Sequence, residues 1–270
     1  MSGTVRPGFF AESARLLALC DPAAKCDGVA AFAEAVASDA VRWDPEVPLP
    51  PADRPGRPER PERVAPAAVP RRRLGSQAGR IALVHAIAHI EFNAINLALD
   101  AAARFRDMPA DYYPDWVSVA ADEARHFGLM ANRLTELGSG YGALPAHDGL
   151  WEMARDTVDS CLVRMALVPR VLEARGLDVT PGMIERLRAV GDEETVAALE
   201  VILREEVRHV AIGSRWFRYC CEREQLDPEA TFRRLLRTRY SGQLRGPFNL
   251  PARRAAGFSK AELGWLDQDA

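Results

Sequence analysis

Cysteine is scarce in this sequence and follows no metal-binding pattern. The five cysteines are scattered, odd in number and form no Cys-x-x-Cys pair, which argues against a disulfide scaffold or a zinc ribbon. The chain also lacks a glycine-rich phosphate loop, a Ser-His-Asp arrangement, and any flavin, nicotinamide or iron–sulfur motif. We therefore expect the cysteines to be reduced thiols, most of them packed in the interior. Reduced thiols are typical of a cytoplasmic protein, which is the predicted location.

Long apolar runs and a strong net charge are missing too. No apolar stretch approaches the length of a transmembrane helix, and no signal peptide is visible at the start, so we expect no membrane contact. The formal net charge of −3 gives no global attraction to nucleic acid. One interval differs, because no acidic residue lies between Glu229 and Glu262. Its basic residues are Arg233, Arg234, Arg237, Arg239, Arg245, Arg253, Arg254 and Lys260.

Alternating runs of strand length are absent, so the predicted fold class is all-α, a four-helix bundle with appendages. We predict an N-terminal helical extension at 1–42, a proline-rich linker or strap at 43–74, a bundle at 75–225 and a basic, helical C-terminal extension at 226–270. The long helices are predicted at 81–104, 114–137, 150–175 and 192–224. Gly176 should end the third of them, and Thr180-Pro181 should open a short helix.

Two pentapeptides repeat one pattern in separate predicted helices. They are Asp-Glu-Ala-Arg-His at 122–126 and Glu-Glu-Val-Arg-His at 205–209. Residues three apart project from the same helix face, so the glutamate and histidine of each pentapeptide can share one metal ion. A single Glu-x-x-His is weak evidence, but two matches within the fuller pattern favour a site over surface ion pairs.

Two lone glutamates complete the repeat. Glu91 lies 32 residues before Glu123, and Glu173 lies 33 residues before Glu206, so both halves of the sequence follow one plan. Four carboxylates and two imidazoles are the ligand set of di-iron and di-manganese bundles, and such donors suit iron or manganese. We therefore predict two iron ions, with manganese or a mixed pair as alternatives. The predicted ligands are Glu91, Glu123, His126, Glu173, Glu206 and His209.

The residues flanking these ligands suggest a supporting role. Asp122 and Glu205 lie one residue off the ligand face, where each could accept the free N–H of the facing helix's histidine and fix its tautomer. Arg125 and Arg208 could balance surplus negative charge. Ordinary surface ion pairs are the alternative for all four residues.

Other candidates carry weaker signals. His85 and His89 have a zinc-like spacing, but packing is the favoured interpretation, with a place along the approach to the site as the alternative. Pro169 lies four residues before Glu173 and should kink the third helix near its ligand.

The motifs "DEARHF" and "EEVRHV" resemble those of ferritin-like di-iron proteins, including bacterial multicomponent monooxygenases and tRNA hydroxylases. Together with "RRRLGSQAGRIALVHAIAHIEFNAINLALD" and "FNLPARRAAGF", they resemble the bacterial DUF455 ferritin-like family over roughly residues 8–260. The resemblance implies a di-metal bundle. It implies no reaction, because that family is named for having no assigned function.

These observations lead to one functional hypothesis and two alternatives. The hypothesis is an O₂-activating oxidoreductase that hydroxylates or oxidises a small molecule and takes its electrons from an external donor protein. A ferritin-like iron-handling role is one alternative. The other is an RNA-binding protein or tRNA hydroxylase that contacts RNA through the basic C-terminal segment. Besides these functional alternatives, a purely structural role is open, in which the acids and histidines form buried ion pairs.

Overall fold

The protein is described here by a computed structural model that covers residues 6–53, 55–69, 73–242 and 244–268. Within these residues the extended backbone pairs only at two isolated bridges, and the all-α prediction is confirmed. Residues 54 and 70–72 of the predicted strap lie outside the described residues. The helices are α1 Phe9–Ala18, α2 Pro22–Ala37, α3 Gln77–Arg104, α4 Tyr112–Glu136, α5 Gly149–Asp156, α6 Cys161–Leu167, α7 Ala174–Arg188, α8 Glu193–Arg223, α9 Pro228–Arg239, α10 Leu250–Ala255 and α11 Lys260–Gln268, with a 3₁₀ turn at Pro66–Ala68 and a π-helix at Val168–Glu173.

The chain divides into two compact units, Met1–Arg155 and Asp156–Ala270. The first unit contains the N-terminal helices, the proline-rich strap and the helix pair α3–α4. The second contains α6, the π-helix, α7, α8 and the C-terminal helices. Each unit therefore holds one copy of the plan seen in the sequence, a lone glutamate followed by Glu-x-x-His.

The first unit is built on the packing of α3 against α4. Ser76 caps α3 by accepting a hydrogen bond from the Gly79 N–H, and α4 ends just before Gly138, whose φ of +77° suits glycine. Helices α1 and α2 cover this pair, and α1 contributes the buried Phe9 and Phe10 to the core. The hairpin is thus a well-supported frame for side chains placed in mid-helix.

The proline-rich strap is bound along the first unit. Arg106 donates to the carbonyls of Pro45 and Val47, and Arg104 donates to that of Pro50 at 3.1 Å. Further along, the backbone of Val64 pairs with that of Ala146 at 2.9 Å. Proline has no backbone N–H, so this stretch cannot form the regular hydrogen bonds of a helix. Arginine side chains donate to its carbonyl groups instead.

The third long helix differs from its prediction. In place of one helix at 150–175, α5 ends at Asp156 and α6 begins at Cys161, after a Ser160 cap. Helix α7 then runs through Gly176 and Pro181, so the predicted stop at Gly176 and the predicted helix start at Thr180-Pro181 were both wrong. Proline at 181 frees the carbonyl of Leu177, and Asn249 Nδ2 donates to that carbonyl at 3.1 Å. A contact distant in sequence therefore keeps the helix intact.

Helix α3 meets the length and composition of a membrane span, although no segment was expected to. Between Arg80 and Arg104 its only charged residues are Glu91 and Asp100. Yet 72% of its most apolar window is buried inside the protein. That burial identifies α3 as the core helix of its unit.

Candidate metal centre

Three predicted ligands of the first unit meet in the α3–α4 pair. Helix α3 carries Glu91, and α4 carries Glu123 and His126. Nδ1 of His126 lies 3.4 Å from Glu91 Oε2 and 3.3 Å from Glu123 Oε2, and one potential ligand atom from each residue lies within 4.8 Å of the others. All three are buried. This buried group could hold a metal ion.

The negative charge of the two carboxylates in this group favours a bound cation. Burial alone lowers the pKa of His126, but hydrogen bonds to Glu123 and Glu91, and the charges of these carboxylates, outweigh it and raise that pKa to about 11. The imidazole therefore carries a proton that offsets part of the carboxylate charge. Carboxylate oxygens and imidazole nitrogen are donors that iron and manganese accept, so the residues fit such an ion.

The second unit presents its predicted ligands on two elements. Helix α8 carries Glu206 and His209, which are buried, and His209 Nδ1 lies 3.6 Å from Glu206 Oε1. Glu173 ends the π-helix and is half-buried. The His209–Glu206 distance is longer than the 3.3 Å between His126 Nδ1 and Glu123 Oε2 in the first unit.

The π-helix confirms the expected distortion at Pro169. Proline has no N–H to donate to the preceding turn, and the backbone widens, so that the Ala174 N–H reaches the Pro169 carbonyl five residues back. Helix α8 accommodates this widening through Gly213. A Cβ at that position would lie 2.2 Å from Cγ of the Pro169 ring. The sequence signal for this contact was a glycine seven residues after Glu206, on the same helix face.

A buried ion pair supports the π-helix from the C-terminal extension. Arg170 Nη2 donates to Glu262 Oε1 at 2.6 Å, and both side chains are almost fully buried. Three phenylalanine rings, those of Phe217, Phe232 and Phe258, surround the guanidinium at 4.2–4.6 Å. Burial lowers the pKa of Arg170, and Glu262 works in the opposite direction. The extension is thus anchored beside Glu173.

The flanking acids and arginines remain predictions. Arg125 contacts Asp122 at 2.8 Å on the surface of α4, and Arg204 lies 4.0 Å from Glu205. Arg125 and Arg208 are exposed, while both acids are half-buried. The acids therefore lie closer to the protein interior than the arginines do.

His85 and His89 act as packing residues. His85 Nε2 accepts a hydrogen bond from the Gly142 N–H at 3.0 Å, and His89 Nδ1 lies 2.9 Å from the Tyr141 hydroxyl. Burial lowers the pKa of His89 to about 4, so the ring is neutral. These bonds fix the segment after α4 onto α3 and support the packing interpretation.

Sequence reasoning missed Lys25, which is fully buried in the first unit. Its Nζ donates to the carbonyls of Leu17 and Gly56 at 3.2 and 2.8 Å and to Asn96 Oδ1. Burial lowers the pKa of Lys25 to about 7. The residue ties α1, α2, the strap and α3 together five residues beyond Glu91. Its position in an alanine-rich helix gave no signal.

The helices and the buried carboxylate–histidine group define an all-α protein of a kind able to hold a metal ion. The chain belongs to the DUF455 family, described as a protein of unknown function, whose model matches residues 18–264. It is 44% identical over 242 residues to an uncharacterized protein of Haemophilus influenzae, an alignment that covers 87% of this chain and 80% of that protein. No solved structure matches the chain.

Proposed function

We propose that this protein is a ferritin-like di-iron carboxylate oxidoreductase that uses O₂ to hydroxylate or oxidise a small organic substrate. The observation that carries the proposal is the buried group of Glu91, Glu123 and His126 in mid-helix. Buried charges of this kind are costly unless they are paired or coordinate a cation. A structural ion pair would not require the same plan to recur in the second half of the chain.

The proposed ligands divide between the two units. Glu91, Glu123 and His126 come from the first, and Glu173, Glu206 and His209 come from the second. When bound, a pair of iron ions supplies the redox chemistry with O₂ that amino-acid side chains lack. Manganese or a mixed pair would use the same donors.

The protein's own residues provide binding, burial and charge. The carboxylates of Glu91 and Glu123 offer oxygen donors in a site from which the packed helices exclude water. His126 must release the proton that it shares with them before its nitrogen can bind a metal ion, so metal uptake is coupled to proton release. Electrons must come from another protein, because the sequence carries no redox cofactor motif of its own.

Metal content tests this proposal. Protein from iron-replete cells should contain about two irons per chain, and both His126→Ala and Glu206→Ala should lose most of that iron. Glu136→Ala is the matched control, because Glu136 is an exposed carboxylate near the end of α4 and should leave the iron content unchanged. Circular dichroism should show that all variants keep their helix content.

Two results would contradict the di-iron assignment: no bound metal in the unmodified protein, or metal that survives both substitutions. Oxygen uptake then separates the proposed reaction from iron handling. With a reductant and iron-loaded protein, an oxidoreductase consumes O₂ repeatedly. An iron-handling protein stops when its added Fe(II) is oxidised and retains far more than two irons per chain.

A further inference from the structure

The second unit contains a basic groove that is separate from the predicted metal ligands. The groove has a volume of about 780 Å³, within the range of ligand pockets, and none of the described residues that line it is acidic. Its walls come from α9, the segment after α9, and α11. Its principal polar and aromatic residues are Arg233, Arg237, Arg245, Tyr240, Phe248 and Trp265.

Helix α9 places two arginines on the groove side by side. Phe232 and Leu235 are buried and face the core, so Arg233 and Arg237, four residues apart, share the exposed face. Within the described part of the chain, neither guanidinium forms an ion pair with a carboxylate. Two neighbouring arginines that form no ion pair are well suited to a phosphate group.

Nearby acids and two other arginines of this stretch have structural roles. Asp227 caps α9, and Glu229 accepts a hydrogen bond from the Ser259 hydroxyl at 2.6 Å. Arg253 is buried against Asp178 at 2.7 Å, and Arg239 pairs with Asp159 at 3.4 Å. The acid-free stretch therefore contains arginines that hold the fold, such as Arg253 and Arg239, as well as arginines that face the groove.

The groove also presents aromatic surface beside these charges. Tyr240 and Trp265 are half-buried, and the Arg233 guanidinium lies 5.7 Å from the Trp265 ring. The Trp265 indole N–H has no hydrogen-bond acceptor among the described residues. Arg175 orders the connecting segment by donating to the carbonyls of Arg245 and Pro247 at 2.6 and 3.4 Å. A planar ring could stack on this aromatic surface, next to a phosphate bound by the arginines.

We propose that this groove binds a nucleotide, either free or as part of a single-stranded RNA. Arg233 and Arg237 contact the phosphate, and Tyr240 with Trp265 forms the stacking surface for the base. The combination of guanidinium and aromatic groups favours this ligand over an acidic peptide, which has no planar base to stack. The inference does not depend on the metal centre.

Binding of two probes to the intact chain tests the proposal. The probes are a fluorescein-labelled oligouridylate of about ten nucleotides, followed by fluorescence anisotropy, and unlabelled AMP as competitor. Arg233→Gln/Arg237→Gln should weaken oligonucleotide binding at least about tenfold. The plot of log affinity against log salt should become shallower by about 0.7, because the two arginines neutralise one phosphate and a single strand releases about 0.7 counterion per neutralised phosphate. Tyr240→Leu should weaken binding without changing that slope.

The matched control is Arg234→Gln/Arg254→Gln, which removes the same charge from exposed arginines outside the groove. It should change affinity by less than about twofold. Displacement of the labelled strand by AMP identifies a free nucleotide as sufficient, whereas resistance to AMP identifies a strand, and either supports the groove. Absence of binding at low salt, equal weakening by both double variants, or equal competition by polyglutamate would overturn the proposal.

Discussion

The two units carry the same ligand plan on differently built helices. In the first unit, α3 is continuous past Glu91, and His126 lies within 3.4 Å of both carboxylates. In the second, a π-helix interrupts the helix that carries Glu173, and the imidazole–carboxylate distance is 3.6 Å. A regular hairpin thus gives a compact, preformed group, whereas the distorted helix leaves its glutamate half-buried.

This difference has a physical cause in a few residues. Helix α3 is rich in alanine and has no proline, so its hydrogen bonds are uninterrupted and its neighbours can approach closely. Pro169 prevents the same regularity in the second unit, and Gly213 and the Arg170–Glu262 pair maintain the distortion. Widened helical turns are frequent at functional sites, where they change the direction of a side chain.

The largest effect is expected from breaking the ion pair behind the π-helix. Glu262→Gln leaves the Arg170 guanidinium buried without its counter-charge, and we expect the free energy of unfolding to fall by about 3–5 kcal/mol. Glu200→Gln is the control, because its partner Arg188 is exposed and the loss should stay below about 0.5 kcal/mol. Urea denaturation followed by circular dichroism measures both. Equal losses would show that the buried pair has no special role.

Replacing one helical glycine in each unit by alanine should change the free energy of unfolding by a smaller amount, with opposite sign in the two units. Gly213→Ala introduces a Cβ that meets the Pro169 ring, and this overpacking should lower the free energy of unfolding by about 1–3 kcal/mol. Gly128→Ala in α4 meets no atom within 4 Å and should stabilise by about 0.5–1 kcal/mol, because alanine is the better helix former. Thermal unfolding of both variants gives the comparison. Stabilisation by Gly213→Ala would show that the π-helix can relax away from α8.

The sequence predicted the elements that depend on local chemistry. The helical character of α3, α4 and α8 and the distortion at Pro169 follow from residue type, and the structure contains them. The Glu-x-x-His spacing likewise identified Glu123 and His126, which lie together with Glu91.

Features that depend on contacts distant in sequence could not be predicted in this way. Asn249 supports α7 through Pro181, and Glu262 neutralises Arg170 from 92 positions away. Lys25 finds its acceptors in three separate segments. No local pattern records which distant carbonyl or carboxylate a side chain will meet.

The smallest expected effect concerns pH and the two buried bases of the first unit. The pKa of Lys25 is lowered to about 7 by burial, so between pH 7 and 9 the unfolded chain holds a proton that the folded chain has lost, and this residue makes stability rise with pH. His126, with its pKa raised to about 11, acts in the opposite direction in metal-free protein: the folded state holds the extra proton, and its contribution is lost as pH rises towards 11.

Lys25→Met should therefore make the stability of metal-free protein fall more steeply from pH 7 to pH 9 than it does in the unmodified chain. The difference in slope should not exceed about 1.4 kcal/mol per pH unit, the value for one proton. Urea titrations of both proteins at several pH values measure it. If the two slopes are equal, the three acceptors around Nζ hold the ammonium form throughout this range, and the first unit then buries a fixed positive charge between α1, the strap and α3.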